Sequence, residues 1–155
     1  MVKRDYQVEL DGKNFAKAMA VNKPISLKYS TEMCREIRGK PVKKVESFLN
    51  RIITHDAYLP LRRYNADVGH RKGTAQSFTK SGRFPEKVCE NFLDLLENLK
   101  ANADFKGMDE EKLLIVHSFA CQGFRRMSYQ SKGKISGRRR LKKSTNIEVI
   151  AVEMK

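Results

Sequence analysis

Residues 122–146 carry nine Lys or Arg side chains and no Asp or Glu. Few folds can hold such a stretch inside. Like charges at close range repel, and burying an unpaired charge costs far more than a packed core returns, so this segment must lie in solvent or against a polyanion. The rest of the chain is uneven but milder. Residues 1–58 sum to +5, 59–85 to +5, 86–111 to −5, 112–121 to +1 and 147–155 to −1, so that with the +9 of residues 122–146 the net charge is +14. Nearly two thirds of that charge therefore sits in one 25-residue stretch. A basic arm on a less charged body is the reading that follows.

The body has enough apolar residues for one modest core. Of 155 residues, 40% are hydrophobic, 32% charged and none is Trp, which suits a single domain spanning 1–155 and excludes both wholesale disorder and a large cleft between domains. No apolar run is longer than four residues, far short of the ~20 that span a bilayer, so no membrane partner is expected. The N-terminal MVKRDYQVELDGK places charges where a signal peptide needs an apolar stretch, which makes the cytoplasm the expected compartment. Cys34, Cys89 and Cys121 have neither a CxxC spacing nor a zinc-ligand partner, so neither a disulfide nor a metal site is expected, and Cys34 and Cys89 read as small core hydrophobes.

Periodicity divides the chain. Val42, Val45, Phe48, Leu49, Ile52 and Ile53 recur at steps of three and four, the spacing of one helical face, with Pro41 suited to the first turn. Before it, Ser26 can cap a helix reaching residue 37 or 38, with Met33, Cys34 and Ile37 inward and Gly39 as the left-handed residue that ends it. A third helix starts at Pro85 and buries Val88, Phe92, Leu95, Leu96 and Leu99, while Glu86, Glu90, Asp94 and Glu97 make its outer face acidic. A shorter amphipathic helix is expected at 14–21. After Gly107 the period changes, and β-rich runs at 113–124 and 147–154 should pair as antiparallel strands. Between them the basic stretch, with Gly133 and Gly137 as turn formers, becomes an over-long hairpin reaching roughly 30 Å from the body. An isolated two-stranded hairpin is only marginally stable in water, so something else must hold it.

Residues 55–84 form a connection longer than compact domains usually use. It interleaves Arg62, Arg63, Arg71, Lys72, Lys80 and Arg83 with Tyr58, Tyr64 and Phe78. Cations grip phosphates, and Tyr and Arg planes stack on unpaired bases. The three histidines, His55, His70 and His117, have no accompanying nucleophile motif such as GxSxG, and Gly69 to Gly73 is not a GxxxxGK[ST] loop. A metal-dependent nuclease would need carboxylates inside the basic region. The acids concentrate on the third helix instead, so binding is favoured over cutting, and a small nucleic-acid-modifying enzyme such as a nuclease stands as the alternative.

Four segments carry a family resemblance. AKAMAVNKPISLKYSTEMCREIRGKPVKKVESFL (16–49), LPLRRYNADVGHRKG (59–73), FPEKVCENFLDLLENLKANA (84–103) and the hairpin, with Gly133-Lys134 near its tip and KKSTNIEV (142–149) returning, stand in the order of one family. The chain resembles the universal large-subunit ribosomal protein family numbered twenty-two in bacteria and seventeen in eukaryotes, in its archaeal form. It departs from the family pattern at Leu27, where Pro is usual, at Asn146, where His is usual, and near residues 129–132, where a Pro-Arg-Ala run is usual. The resemblance implies an α+β fold in which three main helices pack on a small antiparallel sheet that extends into a long basic β-hairpin. It makes 55–84 a basic insertion loop and 122–146 the extended arm. It implies a non-enzymatic protein without cofactors, which binds large-subunit ribosomal RNA, aids its assembly and lines the polypeptide exit tunnel. Neighbouring ribosomal proteins and the nascent polypeptide are the further partners, and no homo-oligomer is expected. Carried over segment by segment, the RNA contacts are Lys17, Lys28, Arg38 and Lys40 on the helices, Arg62, Arg63, His70, Arg71, Lys72, Lys80 and Arg83 in the loop, and Arg125, Arg126, Lys132, Lys134, Arg138, Arg139, Arg140, Lys142 and Lys143 on the arm.

Overall fold

The structure is a computed structural model that describes residues 6–8, 14–71, 78–134 and 136–154. Nine elements follow one another: β1 (Phe15–Lys23), α1 (Leu27–Ile37), α2 (Val42–Ile53), β2 (Leu59–Pro60), β3 (Gly82–Arg83), α3 (Glu86–Asp104), a 3-10 turn (Glu110–Lys112), β4 (Leu113–Tyr129) and β5 (Arg139–Glu153). The main sheet is antiparallel in the order β1-β5-β4, and a second, two-stranded ladder joins β2 to β3. The α+β class expected from sequence is the one observed.

The three helices form where their apolar spacing requires. Val42, Val45, Phe48, Leu49 and Ile52 of α2 are buried, as are Val88, Cys89, Phe92, Leu95, Leu96, Leu99 and Ala103 of α3. Each large side chain so buried contributes about 1.5–3 kcal/mol relative to exposure. Glu86, Glu90, Asp94 and Glu97 all face solvent. Pro41 and Pro85 stand one residue before their helices, as N-caps. Ser26 is also an N-cap, but its side chain makes no capping hydrogen bond among the described residues. Gly39 follows α1 with φ +76°, a left-handed conformation that costs a residue with a Cβ roughly 1 kcal/mol or more. Its N–H donates to Ile115 O at 2.7 Å and Ile115 N–H donates to Lys40 O at 3.1 Å, so the α1–α2 corner docks on the outer edge of β4.

The helix expected at 14–21 is instead the edge strand β1. Ala16, Ala18 and Ala20 are buried and alternate with less buried residues, and they stand opposite Ala151, Val149 and Ile147 of β5. Alanine has the highest intrinsic helix propensity, but pairing with β5 and close packing of α3 on three small side chains override it. The core face of the sheet continues across β5 to Leu113, Ile115, Ser118 and Ala120 of β4. A bulge at Val116, between the pairs Ile115–Ala151 and His117–Ile150, shifts the inward set from odd to even numbers. Burial alternates from Leu113 to Val116, and the phase changes only beyond that run.

Beyond Thr145 the sheet changes from three strands to two. β4 and β5 continue as a pair through Arg125–Lys143, Met127–Leu141 and Tyr129–Arg139, and the connection 130–138 holds Gly133 and Gly137 at φ +85° and +79°. Among the described residues, every side chain from 124 to 143 is exposed except the half-buried Ser128 and Gln130. None of them belongs to the core. Phe92→Ala should therefore cost about 3–5 kcal/mol, read as a lowered denaturation midpoint. Replacing residues 127–137 by a short turn should move the midpoint no more than a surface substitution does. A tip deletion that destabilises as much as Phe92→Ala would contradict this division.

Candidate nucleic-acid interface

Two acidic residues organise the basic surface of the body. Glu32 and Glu36 lie one turn apart on α1, are 2% and 8% exposed, and sit on the side of the helix that meets residues 61–64. A buried carboxylate requires donors, since desolvation is otherwise unbalanced. Glu32 Oε1 accepts from Arg63 N–H at 2.6 Å and from Tyr64 N–H at 3.0 Å. Glu36 accepts from Lys40 Nζ at 2.6 Å and Arg62 Nη2 at 3.3 Å. Glu32 thus holds the loop by its backbone and Glu36 by the Arg62 side chain, which leaves the Arg63 side chain turned to solvent beside Tyr64, whose ring centroid lies 5.5 Å from both Arg63 Cζ and Lys28 Nζ.

The connection 55–84 is zipped at its base. Ala57 to Leu61 are buried, Leu61 N–H donates to Ser81 O and Arg71 N–H to Lys80 O, and β2 pairs with β3. Tyr58 is 6% exposed with its hydroxyl donating to Thr79 O, so it is a core residue and cannot stack on a base. Phe78 is fully exposed and Tyr64 half-exposed, which leaves those two rings of the three for that role. Arg71 Nε donates to Gly82 O and its guanidinium lies 5.3 Å from the Phe84 ring centroid, beside Arg83 and the exposed His70 and Lys80. Lys72 lies outside the described residues.

Arg38 Nη2 donates to Ser118 O at 2.7 Å, which pins the guanidinium and leaves its remaining donors available. Lys28, Arg38, Lys40, Arg62 and Arg63 are thus gathered around α1 and its corner. Lys17 is not among them. It alternates with the inward alanines of β1, so it lies on the opposite face of the sheet, over the rings of Tyr6 and Phe15. On that face Glu148, 6% exposed, accepts from His117 Nε2 at 3.0 Å and from Gln7 N–H at 3.2 Å. Burial first, and the Glu148 charge second, hold the Tyr6 hydroxyl above its ordinary pKa.

The arm presents the second cluster. Cross-strand partners share a face, so Arg125, Lys143 and Arg139 stand on one side with Met127, Leu141 and Tyr129, and Arg126, Lys142 and Arg140 on the other. Lys132, Lys134 and Arg138 surround the turn, all exposed. The arm leaves the body at a polar knot. Asn22, left-handed at φ +54°, accepts at Oδ1 from Phe124 N–H and Ser144 Oγ and donates its N–H to Asn146 Oδ1. A Cβ at Gly123 would fall 2.6–2.9 Å from Asn22 Oδ1, Ser144 Oγ and Asn146 Oδ1, so a larger residue there would push the side chains of this knot apart.

The sequence reading missed Glu32, Glu36 and Asn22. Two acids four residues apart on an otherwise basic helix were the available signal for the first pair, whereas Asn22 carried none. Two of the three histidines are engaged structurally: His55 Nε2 bonds Glu86 Oε1 at 2.8 Å, joining the end of α2 to the start of α3, and His117 pairs with Glu148. Burial pushes the Cys34 and Cys89 thiols up to about 12, where no thiolate exists at neutral pH. In the native protein a thiol-alkylating reagent should therefore modify the exposed Cys121 and spare Cys34 and Cys89 until denaturant is added, as read by mass spectrometry. Modification of Cys34 at the rate of Cys121 would contradict the burial.

Residues 18–152 match the family described as ribosomal protein L22p/L17e. The large ribosomal subunit protein uL22 of Methanococcus vannielii is 44% identical over 124 residues, 80% of each chain. That of Methanococcus maripaludis is 37% identical over 153 residues, 99% of each chain, and that of Archaeoglobus fulgidus is 35% identical over 136 residues, 88% of this chain and 86% of the relative. All three carry the name of a ribosomal protein and none that of an enzyme.

Proposed function

The chain belongs to the ribosomal protein L22p/L17e family, and from that premise we propose that it is built into the large ribosomal subunit of the cytoplasmic ribosome by binding the large-subunit RNA on two separate basic surfaces. The body surface gathers Lys28, Arg38, Lys40, Arg62 and Arg63, extended by His70, Arg71, Lys80 and Arg83 along the loop, with Lys17 meeting RNA from the opposite face of the sheet. The arm, residues 122–146, threads between RNA segments, and its tip lines the tunnel through which the nascent polypeptide leaves. Neighbouring ribosomal proteins complete the surroundings, and the protein acts as a single copy.

One observation carries this reading. The arm holds nine cations without an acid on a two-stranded ribbon whose described side chains reach almost wholly into solvent. Such a ribbon repels itself unless a polyanion neutralises it, and ribosomal RNA supplies phosphates along the whole length of an arm roughly 30 Å long. Most of these cations meet phosphates and fix position rather than read bases. A nuclease would need carboxylates among the cations. The arm has none, and Glu32 and Glu36 are engaged by the loop donors.

Binding of the intact protein to large-subunit RNA transcripts should weaken steeply with salt, because each neutralised phosphate releases condensed counterions. Neutralising Arg138, Arg139 and Arg140 together should lower the slope of log K against log salt by about 2 to 3. A flat salt response, or a triple variant with an unchanged slope, contradicts a phosphate-dominated arm.

A further inference from the structure

The cleft between α1 and residues 63–66 is the feature that the charge pattern leaves unexplained. It has a volume of about 350 Å³ and is lined by Ser26, Lys28, Tyr29, Arg63, Tyr64 and Ala66. Two cations approach one aromatic ring, each 5.5 Å from the Tyr64 centroid, and both are exposed on long side chains that can turn toward an anionic group at the rim. The loop wall does not stand by its own packing, for Arg63 and Ala66 are exposed and Tyr64 is half-exposed. Beside the Arg62–Glu36 pair, one buried oxygen, Glu32 Oε1, fixes it by taking both the Arg63 and the Tyr64 N–H. The second carboxylate oxygen lies 4.0 Å from Arg35 Nη1.

We propose that this cleft is a binding site for a phosphodiester of the RNA backbone, clamped by Lys28 and Arg63 across Tyr64, and that Glu32 is the positioning residue that sets the clamp. The inference rests on the RNA-binding reading above and deepens it, by joining Lys28 and Arg63 in one cleft and adding Glu32. The cations need a fixed separation to share one phosphate, and Lys28 rides on the rigid helix. Arg63 lies on a loop, and its place relative to Lys28 comes from the carboxylate that captures its own backbone N–H. An acid inside a basic surface then strengthens anion binding, because the pre-ordered loop loses less entropy when the RNA arrives.

The sign of the effect makes this testable. In a protein of charge +14, removing an acid should tighten RNA binding through electrostatics alone. Affinity for a large-subunit RNA transcript is measured for the wild type, Glu32→Ala, Glu32→Gln and Glu97→Ala, the last removing an exposed acid from α3, with a thermal melt of each. Glu32→Ala should bind on the order of tenfold more weakly, while Glu97→Ala binds as well as the wild type or slightly better. Glu32→Gln keeps an Oε1 acceptor for both N–H groups and should restore most of the affinity although the charge is gone. If Glu32→Ala does not fold, the double variant Lys28→Ala/Arg63→Ala tests the clamp, with the salt slope expected to fall by about 1 to 2. Salt-dependent binding by the wild type together with tighter or equal binding by a folded Glu32→Ala overturns this inference and leaves the wider reading intact, as does an unchanged slope in the double variant. A wild type that does not bind the transcript overturns both.

Discussion

Everything in this molecule hangs on β5 pairing with β4 along its length and with β1 along only half. Where β5 has neighbours on both sides, from Thr145 to Val152, its residues Ile147, Val149 and Ala151 enter the core. Where it has only β4, from Arg139 to Lys143, it carries cations and one exposed Leu. A single strand is thus core at one end and exposed cationic ribbon at the other. The side chains follow the number of neighbours, because a two-stranded ribbon with water on both faces cannot shelter apolar groups and gains nothing from them.

The transition is built, not gradual. Bulges interrupt both ladders at this point, between Ala20 and Lys23 on β1 and between Gln122 and Arg125 on β4. Bulges increase local twist and bend. Here the freed polar groups are taken up by Asn22, Ser144 and Asn146, and Thr145 Oγ1 donates to the buried Ile25 O at 2.9 Å. The direction in which the arm leaves is therefore fixed by the body, so that a segment with no core of its own still starts from a defined place. Glu32 and Glu36 solve the same problem for the loop: Glu32 fixes it through the backbone N–H groups of Arg63 and Tyr64, and Glu36 through the side chain of Arg62, while the Arg63 side chain stays exposed.

The helices of the core were legible from the spacing of Phe48, Ile52, Phe92 and Leu96, because large apolar residues at steps of three and four leave few alternatives. The strand β1 was not. Ala16, Ala18 and Ala20 alternate, yet Ala-Lys-Ala-Met-Ala-Val also suits a helix, and only the distant β5 decides between the two. Tyr58 shows the same limit: its neighbours in sequence are basic, but the β2–β3 ladder turns it inward. The cations of the candidate site were legible as charge. Their positioning was not, because Glu32 and Glu36 act through residues some thirty positions away, a relation that exists only once α1 and the loop meet.

The central claim is that the body is ordered by its own core and the arm by a polyanion. Amide hydrogen exchange, measured on the free protein and on the protein within isolated large subunits, tests it most directly. The account predicts slow exchange for α2, α3 and the β1-β5-β4 region in both states, and for residues 125–143 fast exchange in the free protein that becomes slow in the subunit. Equal protection of residues 125–143 in both states would show that the arm holds itself together, and the account would be wrong.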